Sequence, residues 1–202
     1  MSATDFRTAI RDYIRAQAKP VDKFSHQARL YELTREIGTG QTYDDEVVFA
    51  AVWLHDLGVF VGHRSENPAA LATWDSVAYA MQQTPDRLRQ FGFPELKIAA
   101  VVEAIRTHQP QENPASLEGV ILRDADILEQ LGATSILRTV SKIGRDTRFA
   151  VFPDALRVLQ MNADTLPRQL RLPQSQALAK SRVDVLRSFL QAARQEHCLV
   201  AD

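Results

Sequence analysis

A histidine and an aspartate stand side by side at the end of an apolar stretch of this sequence. His55 and Asp56 follow residues 47–54, all of which are apolar. Burial of such a pair without a partner is costly, because imidazole and carboxylate both lose hydration. A divalent transition metal would remove that cost, since imidazole nitrogen and carboxylate oxygen are suitable ligands for it. The pair is therefore a candidate metal site.

A second histidine lies on the inward face of the preceding predicted helix. His26 belongs to a helix predicted over residues 22–37, and Leu30, Leu33 and Ile37 follow it at offsets of four, seven and eleven. These offsets place the four side chains on one stripe of a helix. The imidazole of His26 is therefore expected to point into the core.

The two side chains of the His-Asp pair cannot both face the middle of one helix. Consecutive residues project about 100° apart, so His55 and Asp56 can bind one ion only at a helix end. Gly58 predicts such an end directly after the pair, because glycine is favoured just beyond a helix C-terminus.

A further acidic site follows in the segment Asp124-Ala125-Asp126. Helical periodicity places Asp124 on the stripe of Leu117, Ile121 and Leu128, whereas Asp126 projects about 200° away from that stripe. The pattern alone therefore favours Asp124 as the inward carboxylate.

The fold that must position these residues is predicted to be all-α. Apolar residues recur at spacings of three and four, and sustained two-residue alternation is rare. The predicted helices cover residues 5–18, 22–37, 44–57, 69–82, 85–91, 94–108, 117–131, 134–143, 154–166 and 174–196. With 202 residues and 45% hydrophobic content, the chain is expected to form one domain over residues 1–202. Its motif-bearing core would span about 20–150, with helices over 154–196 packed on it.

Composition excludes several classes of function. A net charge of -1 gives no field that would collect duplex nucleic acid or an anionic membrane. The single cysteine, Cys198, permits neither an internal disulfide nor a cysteine-based zinc site. The sequence shows no secretion signal and no membrane-spanning run. A cytoplasmic location is therefore expected.

The order of these polar sites resembles that of the HD-domain superfamily of metal-dependent phosphohydrolases: a histidine, then His-Asp, then a distant aspartate. The resemblance covers residues 20–150, and its last segment is similar to a small group with an Asp-Ala-Asp signature. The segments that carry it are Ser25-His26, His55-Asp56-Leu57-Gly58 and Arg123-Asp124-Ala125-Asp126-Ile127-Leu128.

The resemblance implies an HD-type helical bundle and a set of metal ligands. The implied ligands are His26, His55, Asp56 and Asp126. The family pattern thus favours Asp126 over Asp124, which would instead orient a histidine ligand or a water. The divalent ion could be manganese, cobalt, nickel, zinc, iron or magnesium.

Catalytic roles are predicted for Asp56, Asp124 and His63. Asp56 would serve as a ligand and as the acceptor of a hydrogen bond from the attacking water, while Asp124 or His63 would assist proton movement. His63 also has an equally good explanation as a residue of a solvated loop.

Substrate contacts are predicted for Arg64, His108 and Arg145. Guanidinium groups bind phosphate oxygens as a fork, which favours Arg64 and Arg145 as phosphate ligands. His108 is a candidate because relatives in the superfamily carry a histidine at a comparable place, where it contacts substrate or a second metal. Each of the three also has a structural explanation, as a solvated loop residue or a cation at a helix end.

These predictions describe a metal-dependent phosphohydrolase whose substrate is a small phosphorylated molecule, by family resemblance a nucleotide. Two alternatives stay open: an HD-type oxygenase that uses two irons, and a helical binding or signalling module without turnover. A homo-oligomer is possible, since the long amphipathic C-terminal helices could pack on another subunit.

Overall fold

The computed structural model describes residues 5–146 and 148–196. Within them lie ten α-helices and no β-strand, which confirms the predicted all-α fold. The helices are α1 (Phe6–Gln17), α2 (Asp22–Ile37), α3 (Asp45–Leu54), α4 (Pro68–Ala72), α5 (Ser76–Gln90), α6 (Ile98–Arg106), α7 (Leu117–Glu129), α8 (Gly132–Val140), α9 (Phe152–Thr165) and α10 (Pro173–Gln195). Short 3₁₀ turns cover Leu57–Val59, Glu95–Lys97 and Leu166–Gln169. None of the described helices is both long and apolar enough to cross a membrane.

The largest error of the sequence prediction lies between residues 68 and 91. The sequence predicted helices over 69–82 and 85–91, whereas the chain forms a five-residue α4 and then a continuous α5. The carboxylate of Asp75 accepts hydrogen bonds from the first free N–H groups of α5, which fixes the start of that helix. Pro85 was expected to begin a separate helix but lies inside α5.

The chain divides into two compact units, residues 1–123 and 124–202. In the first unit α3 is the central element, since α1, α2 and α6 all pack against it. Every residue from 47 to 54 is buried, as a helix surrounded by other helices requires. On α2, His26 is buried together with Leu30, Leu33 and Ile37, as the stripe predicted.

In the second unit, α10 packs against α8 and α9. Its core includes Leu128, Leu159 and Leu186, which have no exposed surface. That the whole chain forms one domain stays a prediction. Cys198 lies outside the described residues.

Candidate metal centre

The His-Asp pair lies where α3 ends. The helix stops at Leu54, earlier than predicted, and His55 is its C-terminal capping residue. Asp56 then opens the 3₁₀ turn Leu57–Val59. The two side chains therefore leave a helix terminus rather than a helix face, which is the arrangement they need in order to share one ion.

Three ligand groups converge at this terminus. One donor atom each from His26, His55 and Asp56 lies within 4.8 Å of the others. The Nε2 atom of His26 is 3.7 Å from one oxygen of Asp56, and the Nε2 atom of His55 is 3.6 Å from the other. Separations of this size leave room for a cation between the groups, because each ligand bond to a transition metal is about 2.0–2.2 Å long.

The hydrogen bonds of the imidazoles fix which nitrogen is available. The Nδ1 atom of His55 lies 2.8 Å from the carbonyl oxygen of Val52. A carbonyl oxygen only accepts, so Nδ1 carries the proton and Nε2 keeps its lone pair. A ligating histidine is commonly oriented by a hydrogen bond of this kind.

A third imidazole lies beside His55. The rings of His55 and His108 meet edge to face with centroids 5.0 Å apart, and those of His26 and His55 with centroids 5.6 Å apart. His108 is 6% exposed, and its Nδ1 atom lies 2.6 Å from the carbonyl oxygen of Ile105. The structure therefore brings His108 to the centre, in the same tautomer as His55. A solvated cation at a helix end would not be buried in this way.

The carboxyl group of Asp56 is held in its ionised form. Burial alone would raise its pKa, but electrostatic interactions with His55, Lys23, His26 and His108 outweigh burial and hold the pKa well below its usual value. A carboxylate that stays ionised is the form that binds a metal.

The turn that carries Asp56 is fixed by α5. A Cβ atom built on Gly58 would lie 2.3 Å from the backbone oxygen of Ser76, so only glycine permits this close approach. The indole Nε1 of Trp74 donates a 2.8 Å hydrogen bond to the carbonyl oxygen of Gly58. The sequence analysis did not identify this role of Trp74, for which its place directly before the capping Asp75 is the available signal.

His63 is bridged to two other elements. Its Nε2 atom lies 2.8 Å from Oε1 of Gln17, and its Nδ1 atom lies 3.1 Å from the hydroxyl of Tyr79. These contacts tie the loop after Asp56 to α1 and α5. Arg64, the next residue, is exposed.

Three of the predicted site residues belong to the second unit. The buried carboxylate of Asp124 accepts backbone N–H bonds of 3.0 Å from Arg171 and 2.9 Å from Leu172, directly before α10. Asp126 is half-buried and lies 3.4 Å from the side-chain nitrogen of Gln130. Arg145 is exposed and donates to the carbonyl oxygen of Ser141. Asp124 thus has a structural role within its unit, and the site roles of all three stay predictions.

The donor set fits a divalent metal ion. Two imidazoles and an ionised carboxylate converge from α2 and from the end of α3, with little exposed surface. Divalent cations such as zinc, manganese, cobalt, nickel or iron accept this mixture of nitrogen and oxygen ligands. The residues alone do not select one of these metals.

Comparison with known proteins identifies the family of this chain. The HD domain family matches residues 24–131, more than half of the sequence, and the chain belongs to this family. No curated protein matches it.

Several solved structures share the fold. Bacillus subtilis YpgQ is 20% identical with a TM-score of 0.73, over 97% of each chain. A structure of YpgQ in complex with ADP has a TM-score of 0.67 at 20% identity, over 94% of this chain and 97% of that one. An HD-superfamily hydrolase from Bacillus thuringiensis is 18% identical with a TM-score of 0.68, over 95% of each chain.

Proposed function

We propose that this protein is a metal-dependent phosphohydrolase whose substrate is a small phosphorylated molecule of the nucleotide class. The observation that carries the proposal is the convergence of His26, His55 and Asp56 at one helix end, with the Nε2 atom of His55 left free to bind. Membership of the HD domain family and the hydrolase name of the Bacillus thuringiensis relative support hydrolysis. The ADP complex of YpgQ supports a nucleotide substrate.

The proposed ligands are His26, His55, Asp56 and Asp126, with Asp126 supplied by family resemblance. The segment Asp124-Ala125-Asp126 places the chain, on this proposal, in the small group with that signature. The structural role of Asp124 before α10 accords with the choice of Asp126, since the carboxylate of Asp124 already has backbone partners.

A divalent ion bound there would polarise a phosphate oxygen and lower the pKa of a water molecule. The chain's own residues would orient the reactants. Asp56, held as a carboxylate, would accept a hydrogen bond from the attacking water. Arg64 and Arg145 are proposed to balance charge on the phosphoryl group.

The predicted role of His63 in proton movement requires a ring nitrogen that is available to water or substrate. Both ring nitrogens already have partners, Gln17 and Tyr79. His63 would therefore have to exchange one of these partners for water or substrate before it could transfer a proton.

The proposal is tested by elemental analysis of the purified protein and by phosphate release from a panel of nucleotides with manganese, cobalt or nickel added. The wild type should hold metal and release phosphate or pyrophosphate. Asp56→Asn, which keeps the shape of the side chain but removes its charge, should lower both metal affinity and turnover by at least about 10-fold. Asp164→Asn removes the same charge at an exposed position on α9 and serves as the matched control.

Three results would contradict the proposal. A wild-type protein without metal would favour the binding module, and two irons with oxygen consumption would favour the oxygenase. A metal-loaded protein that hydrolyses none of the nucleotides would exclude nucleotide hydrolysis directly. Thermal unfolding of Asp56→Asn should accompany these assays, so that loss of fold is not taken for loss of metal.

A further inference from the structure

The side-chain amide of Gln27, on α2, lies inside the first unit without a hydrogen bond. Gln27 has no exposed surface, and neither its Oε1 atom nor its Nε2 atom has a partner among residues 5–146 and 148–196. Exchanging the positions of the amide oxygen and nitrogen does not supply one, because both atoms lack a partner. A buried amide without hydrogen bonds is costly, and native proteins rarely contain one.

Gln27 faces α3. Three ring contacts join α2 to α3, and their centroid distances are 5.6 Å for His26 with His55, 5.4 Å for Phe24 with Trp53 and 5.1 Å for Tyr31 with Phe49. Gln27 projects from α2 at an angle between that of the imidazole on one side and those of the two larger rings on the other. The amide is therefore enclosed between the two helices.

A second buried polar group without a partner belongs to the facing helix. The indole Nε1 of Trp53 has no acceptor within the same described ranges, and the residue is 3% exposed. An indole N–H only donates, so a direct bond would satisfy Oε1 of Gln27 and leave the two N–H groups of that amide without an acceptor. The interface needs a group that both accepts and donates.

We propose that one internal water molecule is bound between α2 and α3 by Gln27 and Trp53. The water accepts hydrogen bonds from an amide N–H of Gln27 and from the indole N–H of Trp53, and it donates one to Oε1 of Gln27. Buried waters in proteins make about three hydrogen bonds. This water completes the interface between the helices that carry His26 and His55, and the proposal is independent of the reaction that the protein catalyses.

The first test detects the water by nuclear magnetic resonance of the isotope-labelled protein. The sequence has two tryptophans, so the indole N–H region contains two signals, which Trp53→Phe assigns. The side-chain N–H signals of Gln27 and Trp53 should both show cross-peaks to a long-lived water. Trp74 is the matched control, because its indole N–H donates to the carbonyl oxygen of Gly58 and needs no water.

The second test uses the direction of a change in Tm. Gln27→Met keeps the length of the side chain and removes the amide, so the water and the indole of Trp53 lose partners. Tm should fall by about 3–10 °C. Removal of an amide that was dry and unpaired would instead raise Tm, because its desolvation penalty would disappear. Gln82→Met makes the same replacement at an exposed position on α5 and should stay within about 2 °C of wild type.

The double variant with Gln27→Met and Trp53→Phe tests whether the two residues share one water. Its fall in Tm should be smaller than the two single decreases combined, because either substitution alone already disrupts the shared hydrogen bonds. Additive decreases would overturn the proposal, as would a higher Tm of Gln27→Met. A folded wild type in which either side chain shows no cross-peak to a long-lived water would overturn it as well.

Discussion

Replacement of Gly58 by alanine tests whether the turn after the His-Asp pair depends on its contact with α5. The added Cβ atom would lie 2.3 Å from the backbone oxygen of Ser76 and 2.6 Å from its Cα atom. Real Cβ atoms essentially never come within 3.0 Å of such neighbours. The turn and the start of α5 must therefore move apart, and neither atom belongs to a side chain that could rotate away.

The expected loss of stability follows from two contributions. Forcing extra volume into a filled site costs about 1–3 kcal/mol. The hydrogen bond from Trp74 to the carbonyl oxygen of Gly58 would also be strained, which adds about 1 kcal/mol. Together they give about 2–4 kcal/mol, or a fall in Tm of about 5–15 °C for a chain of this size.

Metal affinity should fall as well, because Gly58 is two residues from Asp56 in the same turn. Disturbing the groups that orient metal ligands weakens binding by about 10- to 100-fold. The assay is thermal unfolding by circular dichroism together with calorimetric titration of manganese. Gly92→Ala is the control: no atom lies within 4 Å of its added Cβ, although its backbone is left-handed, with φ of +71°, unlike that of Gly58.

Gly92→Ala should lose stability through its left-handed backbone alone, by about 1–2 kcal/mol, and keep wild-type manganese affinity. The reasoning is refuted if Gly58→Ala melts within about 2 °C of wild type and binds manganese equally well. The turn would then accommodate a side chain, and the contact with Ser76 would not position Asp56.

Two further predictions concern the roles of Asp124 and Asp126 and the pH dependence of stability at His63. Asp124→Asn should lower Tm, because the carboxylate of Asp124 accepts hydrogen bonds from the backbone N–H groups of Arg171 and Leu172. This variant should retain metal in elemental analysis, whereas Asp126→Asn should lose it. The pKa of His63 is lowered by burial and by nearby positive charge, so its contribution to stability is complete above about pH 6.5 and is lost as pH falls toward its folded-state value. The advantage in Tm of the wild type over His63→Gln should therefore shrink between about pH 7.5 and 5.5, and a constant difference would contradict this.

The sequence was sufficient for the fold class and for the local burial of the ligand helices. The apolar stripe of α2 placed His26 in the core, and the stretch 47–54 identified the buried helix before His55. Both patterns are local in sequence. An apolar stripe or an unbroken apolar run predicts that a helix is buried, even when the elements that pack against it are unknown.

Contacts between residues that are distant in the sequence could not be predicted from local patterns. Nothing near Asp124 shows that its carboxylate would accept from backbone groups 47 residues away. Nothing around Gly58 shows that the backbone at Ser76 would approach it. Such contacts follow from how helices are arranged in space, which helical periodicity does not specify.

Two helix termini link the fold to the chemistry of the centre. The carbonyl groups in the last turn of a helix have no partner within the helix and must be satisfied by other donors. Val52 lies in the last turn of α3 and Ile105 in the last turn of α6, and their carbonyl oxygens lie within hydrogen-bonding distance of Nδ1 of His55 and His108. The same hydrogen bond that completes each helix end therefore fixes an imidazole with Nε2 available. A histidine placed one turn earlier would meet carbonyl groups already bonded within the helix, so the end of α3, and not only the residue type, makes His55 a suitable ligand.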